Sequence, residues 1–267
     1  MDVPRVLDYG IADVSAIYEG PGGALWELLM GELIHCEGEH STRLLAERAG
    51  LRPGQLVLDV CSALGGPARL LATEFGVTVT GLDATPHMVN EANRRTAQAG
   101  LSDRVTFRHG NALDMPFKRE SFDVVWGEDA WCYVTDKHRL LREVARVLRR
   151  GGTVAFTDWV QTAEIPNEQM DALCGFMAFP YLETIPGYVR LLECVGMRVR
   201  EAESLSEGFT ACMRSYQAEL EGRLRPIVVQ EYGEELYEGV LNGVRIWRRA
   251  AEEGKVGRGR FLATKPE

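Results

Sequence analysis

Between residues 56 and 160, short apolar runs alternate with longer segments of helical period, and this alternation constrains the fold more than any other feature of the chain. Such alternation is the pattern of βαβ units, which bury their apolar faces by forming a parallel sheet with helices packed on it. Strands are predicted at 56–60, 78–83, 104–108, 121–126 and 152–158. Residues 136–149 place Leu140, Leu141, Val144, Val147 and Leu148 at helical spacing with basic residues opposite, and Gly151-Gly152 follows as a stop. That is a surface helix lying on the sheet. The fold class expected is α/β: a doubly wound, mostly parallel sheet with an antiparallel last strand and a helical lid.

The flanks divide the chain further. Residues 1–50 read as an N-terminal helical lid and 51–160 as the α/β core. Residues 161–196 form an insertion, irregular over 161–183 and rich in Met, Phe and Pro, that ends in a helix and could cap an acceptor. Residues 197–267 supply strands and helices that complete the sheet. Gly20-Pro21-Gly22-Gly23 interrupts the first segment and reads as a flexible lid hinge. The basic stretch of Arg245, Arg248, Arg249, Lys255, Arg258 and Arg260 reads as an exposed helix and strand edge. Thirty Lys and Arg against 39 Asp and Glu give a net charge of -9, which disfavours a nucleic-acid partner. Met1-Asp2-Val3-Pro4-Arg5 opens no basic leader, no stretch reaches the length of a membrane span, and six cysteines are scattered without a C-x-x-C pair. A soluble, cytoplasmic monomer or homodimer with free thiols and no bound metal is the expectation.

The segment Asp59-Val60-Cys61-Ser62-Ala63-Leu64-Gly65-Gly66 joins the first strand to a helix through small residues. A ligand can approach such a backbone closely, and the helix N-terminus offers unpaired N–H groups. Asp83 ends the second strand, 24 residues after Asp59, where a carboxylate can accept hydrogen bonds from both hydroxyls of a ribose. Together these features point to a cofactor that contains a nucleoside. The turn lacks G-x-G-x-x-G, so nothing marks a pyrophosphate clamp.

With Val57-Leu58-Asp59-Val60, Gly81-Leu82-Asp83, His109-Gly110-Asn111-Ala112, Phe122-Asp123-Val124-Val125 and Arg146-Val147-Leu148-Arg149-Arg150-Gly151-Gly152, the chain resembles the class I S-adenosylmethionine-dependent methyltransferases. Within them it is similar to the phosphoethanolamine and sarcosine/dimethylglycine N-methyltransferases. The resemblance implies a Rossmann-like sheet, S-adenosylmethionine as methyl donor, S-adenosylhomocysteine as product and no metal. The cofactor contacts it implies are Asp59, Cys61, Ser62, Ala63, Gly65, Asp83, Ala84, Asn111, Ala112 and Glu128. Cys61 and Ala63 stand where the family usually has glycine, so a left-handed backbone there would be strained.

On the acceptor side the resemblance implies catalytic roles for Asp129, beside the acceptor, and for Tyr18, closing from the lid. Tyr133 stands where related enzymes carry a histidine, which leaves His35 and His138 as candidate substitute bases. Residues 161–189 contain no Lys or Arg, so the cap is a poor clamp for phosphate or carboxylate unless Arg214, Arg245 or Arg248 reaches in. Trp131, Trp159, Phe176, Phe179 and Tyr181 suit a cationic or apolar acceptor held by aromatic faces. An amine nitrogen is the acceptor expected. O- or C-methylation of an apolar metabolite, or adenosyl binding without catalysis, are the alternatives.

Overall fold

The computed structural model describes residues 5–267; the reading of Met1 to Pro4 as free of a leader signal lies outside them. Eight strands, β1 (Leu56–Val60), β2 (Thr78–Asp83), β3 (Val105–His109), β4 (Phe122–Glu128), β5 (Leu148–Gln161), β6 (Glu183–Thr184), β7 (Arg198–Ser204) and β8 (Val256–Thr264), form one sheet. Its order is β3-β2-β1-β4-β5-β8-β7, with the short β6 alongside β5. Strands β1 to β5 run parallel, while β8 lies antiparallel to both β5 and β7. The expected parallel sheet with an antiparallel final strand is what forms.

The chain leaves β1 towards β2 and β3, then returns to place β4 on β1's other side, so the strand order reverses between β1 and β4. At such a switch point the helices diverge and leave a crevice at the carboxyl ends of the strands. Successive strand residues face opposite sides. Val57, Val79 and Val124 pack beneath α3 (Gly38–Ala49) and α4 (Gly66–Phe75), whereas Leu58, Leu82 and Val125 pack with α6 (Lys137–Val147) and α8 (Ile185–Cys194). In α6 the stripe of Leu140, Leu141, Val144 and Val147 is fully buried, and Asp136 caps the helix by accepting from Arg139 N–H at 2.8 Å. The helix α5 (Pro86–Gln98) connects β2 to β3.

The lid consists of α1 (Ile11–Glu19) and α2 (Pro21–Met30) with the loop before α3. Gly20 to Gly23 forms a tight corner and not a loop: Gly20 is the only residue between the two helices, and Pro21 opens α2. A Cβ at Gly23 would stand 2.4 Å from the Tyr18 carbonyl oxygen, so the glycine serves close packing at this corner. Ion pairs from Arg95 to Glu27 at 2.6 Å and Arg69 to Glu32 at 2.8 Å tie the lid to α5 and α4.

The insertion after β5 is more ordered than expected, because Asn167–Met177 forms a helix, α7. It packs with α9 (Ser206–Glu221), α10 (Arg225–Tyr232) and α11 (Glu234–Glu252) in a second core around Trp159, Phe179, Phe209 and Trp247. The basic stretch also departs from expectation. Strand β8 begins at Val256, and Arg258 and Arg260 are buried at 0% and 3% exposure. They share one face of β8, and each is neutralised by carboxylates.

Candidate active site

The crevice at the switch point holds a cavity of about 370 Å³, roofed by Gly10, Ile11, Val14, Tyr18, Leu33 and Ile34 of the N-terminal segment. This size suits a small organic ligand. Its floor comes from the turn after β1 (Asp59, Cys61, Ser62, Ala63), the end of β2 (Asp83, Ala84), the loop after β3 (Asn111, Ala112) and the end of β4 (Glu128, Asp129, Tyr133). Twelve of the residues singled out from the sequence therefore meet in one place.

The turn keeps the conformation that glycine would favour. Cys61 and Ala63 have φ of 64° and 43°, and Asp129 has 53°; these three cavity residues are among seven non-glycine residues with positive φ in the described chain. Such strain persists only where the surroundings over-determine it. Here the Cys61 N–H donates to the Leu82 carbonyl at 2.8 Å, and the Ala63 N–H donates to Asp83 Oδ2 at 2.9 Å. Gly65, with φ 71°, does not line the cavity. A Cβ there would stand 2.2 Å from the Phe107 ring, so the close packing of this ring requires a glycine.

Four carboxylates line the cavity, and no lysine, arginine or histidine does among the described residues. Asp83 accepts from the Ala63 and Thr85 N–H groups, one on each oxygen at 2.9 Å, which fixes its plane and leaves lone pairs free. Burial raises its proton affinity, partly offset by those two donors. Asp59 Oδ2 and Glu128 Oε1 are buried without a hydrogen-bond partner, as is Ser62 Oγ. Burial pushes the Asp59 carboxyl well up, and the neighbouring charges of Glu128 and Asp83 push it further. Asp59 and Glu128 are neighbouring acids of the cavity wall, and a cationic group beside them would favour their charged forms.

Asp129 is different. Its Oδ1 accepts from Arg258 Nε at 2.7 Å and Thr157 Oγ1 at 2.8 Å, and its Oδ2 accepts from the Cys36 N–H at 3.0 Å. Burial works to raise its proton affinity, but Arg258 and His35 outweigh it and hold the carboxyl below its usual range. Asp129 is thus already neutralised. The sequence missed Arg258 because it read the start of β8 as an exposed edge; two arginines at i and i+2 on one strand face were the available signal.

Several acceptor-side expectations do not hold. His35 is 2% exposed and lies behind the cavity wall, bonded to Cys36 and Thr42. Trp131 is fully buried and stacked on Phe156 of β5, with its indole N–H donating to the Val60 carbonyl at 3.3 Å. Trp159 and Phe179 belong to the second core, Phe176 packs on Trp26, and Tyr181 covers the Lys137 ammonium at 3.7 Å. None of the five aromatic residues assigned to the acceptor lines the cavity: Trp159, Phe176 and Phe179 pack with the helices after β5, Trp131 packs under the sheet, and Tyr181 packs on Lys137. Arg214, Arg245 and Arg248 are bound to Glu252, Glu221 and Glu252 at the surface. What remains beside Asp129 is Tyr18, Ile34, Ala130, Tyr133 and Val134. The two tyrosine hydroxyls lie 3.1 Å apart, and burial pushes both phenols above their ordinary range, so neither is a base at neutral pH.

A profile for a methyltransferase domain matches residues 58–156, the segment that supplies this floor. The chain is 31% identical over 238 residues to the 27-O-demethylrifamycin SV methyltransferase of Amycolatopsis mediterranei, covering 86% of this chain and 85% of that one. The chain belongs to the class I S-adenosylmethionine-dependent methyltransferases. It is also 28% identical over 226 residues to a glycine/sarcosine/dimethylglycine N-methyltransferase of Actinopolyspora halophila, covering 84% of this chain and 40% of that enzyme. The match spans 62% of a methyltransferase of Streptomyces halstedii and about half the length of the phosphoethanolamine N-methyltransferases of Triticum aestivum, Zea mays and Arabidopsis thaliana. In fold it resembles a phosphoethanolamine N-methyltransferase of Haemonchus contortus, with a TM-score of 0.88 at 23% identity over 99% of this chain and 62% of that one. The methyltransferase cofactor, S-adenosylmethionine, fits the donor set: Asp83 suits the ribose, and the unpaired oxygens of Asp59 and Glu128 suit a cation. Among the described residues no cluster of His, Cys, Asp or Glu could hold a metal ion, and no helix is long and apolar enough to cross a membrane.

Proposed function

We propose that this methyltransferase acts on a neutral, apolar small molecule, through an oxygen or carbon nucleophile, and not on a free amine or a phosphorylated acceptor. The observation that carries this reading is the Asp129–Arg258 pair, because it removes the one anionic anchor that an ammonium acceptor would need beside the tyrosines. The absence of a lysine, arginine or histidine from the cavity wall among the described residues disfavours a phosphate or carboxylate in the same way, since a buried unpaired anion costs several kcal/mol. The O-methylating relative in Amycolatopsis supports the choice.

In this reading Asp83 accepts from the ribose hydroxyls, Asn111 and Ala112 meet the adenine edge, and Asp59 with Glu128 takes the ammonium of the amino-acid end. Asn111 Oδ1 is committed to the Leu113 N–H at 2.8 Å, so its amide N–H₂ remains as donor. Cys61, Ser62, Ala63 and Ala84 line the channel between these ends. When bound, S-adenosylmethionine supplies a methyl group on a sulfonium sulfur, and in-line displacement needs mainly alignment at about 3 to 3.5 Å and exclusion of water. The lid, pinned by Arg69 and Arg95, provides the exclusion. Tyr18 and Tyr133 keep their protons, and Asp129 keeps its charge on Arg258. Acceptors whose own hydroxyl is acidic, phenols and enols, are therefore favoured over plain alcohols.

The test is a matched set of acceptors on one apolar scaffold, bearing a phenol, a primary amine or a phosphate, with methylated product measured by mass spectrometry. The phenol should be methylated best. Faster turnover of the amine or of the phosphate would overturn the reading.

A further inference from the structure

Behind the cavity wall, between α3 and the end of β4, runs a chain of polar groups that methyl transfer itself does not use. His35 Nδ1 lies 3.0 Å from the Cys36 carbonyl oxygen, and its Nε2 lies 3.0 Å from Thr42 Oγ1. Thr42 Oγ1 is 2.9 Å from Glu128 Oε2, which also accepts from Trp126 Nε1 at 3.1 Å. His35 and Thr42 are 2% and 0% exposed, and neither lines the cavity. The other oxygen of Glu128, Oε1, is buried without a hydrogen-bond partner, and Glu128 is a lining residue of the cavity.

Hydrogen counting restricts the states of this chain. A carbonyl only accepts, so His35 Nδ1 carries a hydrogen. Thr42 has a single hydroxyl hydrogen. If Glu128 is ionised, that hydrogen goes to Oε2, and His35 Nε2 must then donate to Thr42 Oγ1. Both ring nitrogens are protonated in that state, and an imidazolium faces a carboxylate across one hydroxyl, Nε2 to Oε2 being 3.6 Å. One other arrangement of the same protons satisfies every contact: Glu128 Oε2–H donates to Thr42, and Thr42 donates to a neutral His35. Passage between the two breaks one N–H bond and forms one O–H bond at Oε2, while the threonine gives one hydrogen and takes another. The other charges facing this chain are Asp59, whose charge acts on Glu128, and Asp129, Arg258 and Glu37, which pair with one another.

We propose that His35 and Thr42 form a buried proton relay that keeps Glu128 charged while the cofactor's ammonium is bound and returns the proton to it when the ammonium leaves. The inference rests on the reading that Glu128 and Asp59 hold that ammonium. Without a cation, two neighbouring carboxylates repel, and a proton delivered from His35 relieves one of them without exchange through solvent. His35 and Thr42 are positioning residues in this scheme. They act on the cofactor only through Glu128.

Calorimetry on the full chain tests it with two ligands: S-adenosylhomocysteine, and 5′-methylthioadenosine, which keeps the adenosine and sulfur but lacks the amino-acid end. Thr42→Val and His35→Gln should each weaken S-adenosylhomocysteine about tenfold and change 5′-methylthioadenosine by less than about twofold. Thr42→Ser, which restores the hydroxyl, should restore the affinity. Equal weakening of both ligands would mean a merely structural role, and no weakening of either would mean no relay; each overturns the proposal. If Thr42→Val does not fold, His35→Gln and Thr42→Ser carry the comparison. Glu128→Gln separates the two readings. If it weakens both ligands alike, the ammonium assignment itself fails, whereas a selective loss in Glu128→Gln that His35→Gln does not share defeats the relay alone.

Discussion

Asp83, half-buried, and Asp129, buried, are both carboxylates of the cavity wall, yet their partners give them opposite tasks. Asp83 is fixed by two backbone N–H groups and has lone pairs to offer, so Asp83→Ala should weaken S-adenosylhomocysteine by about one to two decades, read by calorimetry. Unchanged affinity would remove it from the ribose. Asp129 has nothing to offer, because Arg258, Thr157 and Cys36 already use it. Removing one partner from a buried ion pair strands the other, at a cost of about 3 kcal/mol. Asp129→Asn should therefore lower Tm by about 5–10 °C and leave the ranking of amine and phenol acceptors unaltered. A change in that ranking without loss of stability would return Asp129 to the acceptor.

At the scale of the element, the turn from β1 to α4 shows how a local rule is broken at a site. Cys61 and Ala63 adopt left-handed backbone although each carries a Cβ, which costs of order 1 kcal/mol or more per residue. The bonds from this turn to Leu82 and Asp83 hold it there. Ala63→Gly should accordingly keep or raise Tm, since relief of strain offsets the extra freedom of the unfolded chain. The same exchange at Ala68, in the regular helix α4, should cost about 1 kcal/mol, or about 2–4 °C. Equal losses at both positions in thermal unfolding would show that the turn stores no strain.

The whole molecule carries a pH dependence rooted in its centre. Asp158, on β5, is fully buried and bonded to the Tyr188 hydroxyl and the Cys132 N–H. Burial raises its carboxyl from 3.8 to about 6, against the pull of Lys137 and Tyr188. The native state then binds this proton more tightly than the unfolded chain between about pH 4 and pH 6. Its contribution to stability is complete below the unfolded value and is lost as pH rises through the folded one. The loss amounts to about 3 kcal/mol. The stability of the parent relative to Asp158→Asn should fall by that order between pH 4 and pH 7 in denaturant titrations. A difference independent of pH would show that Asp158 is ionised throughout.

What could be read from the chain alone was what near neighbours dictate. The period of residues 56–160 implies the parallel sheet, and the small-residue turn with Asp83 at the end of the next strand implies a nucleoside cofactor, because strand length and helix length fix where those residues emerge. The acceptor side was not legible in that way. Asp129 and Arg258 are 129 residues apart, and Thr42 and Glu128 are 86 apart, so no local pattern announces either contact. Sequence spacing placed aromatic residues near the acceptor, and packing of α7, α9 and α11 drew Trp159, Phe176 and Phe179 into a separate core instead. Local geometry is set by the backbone and travels with the sequence. The charge state and exposure of a side chain depend on whichever distant residues the finished fold brings against it, and only the tertiary structure decides those.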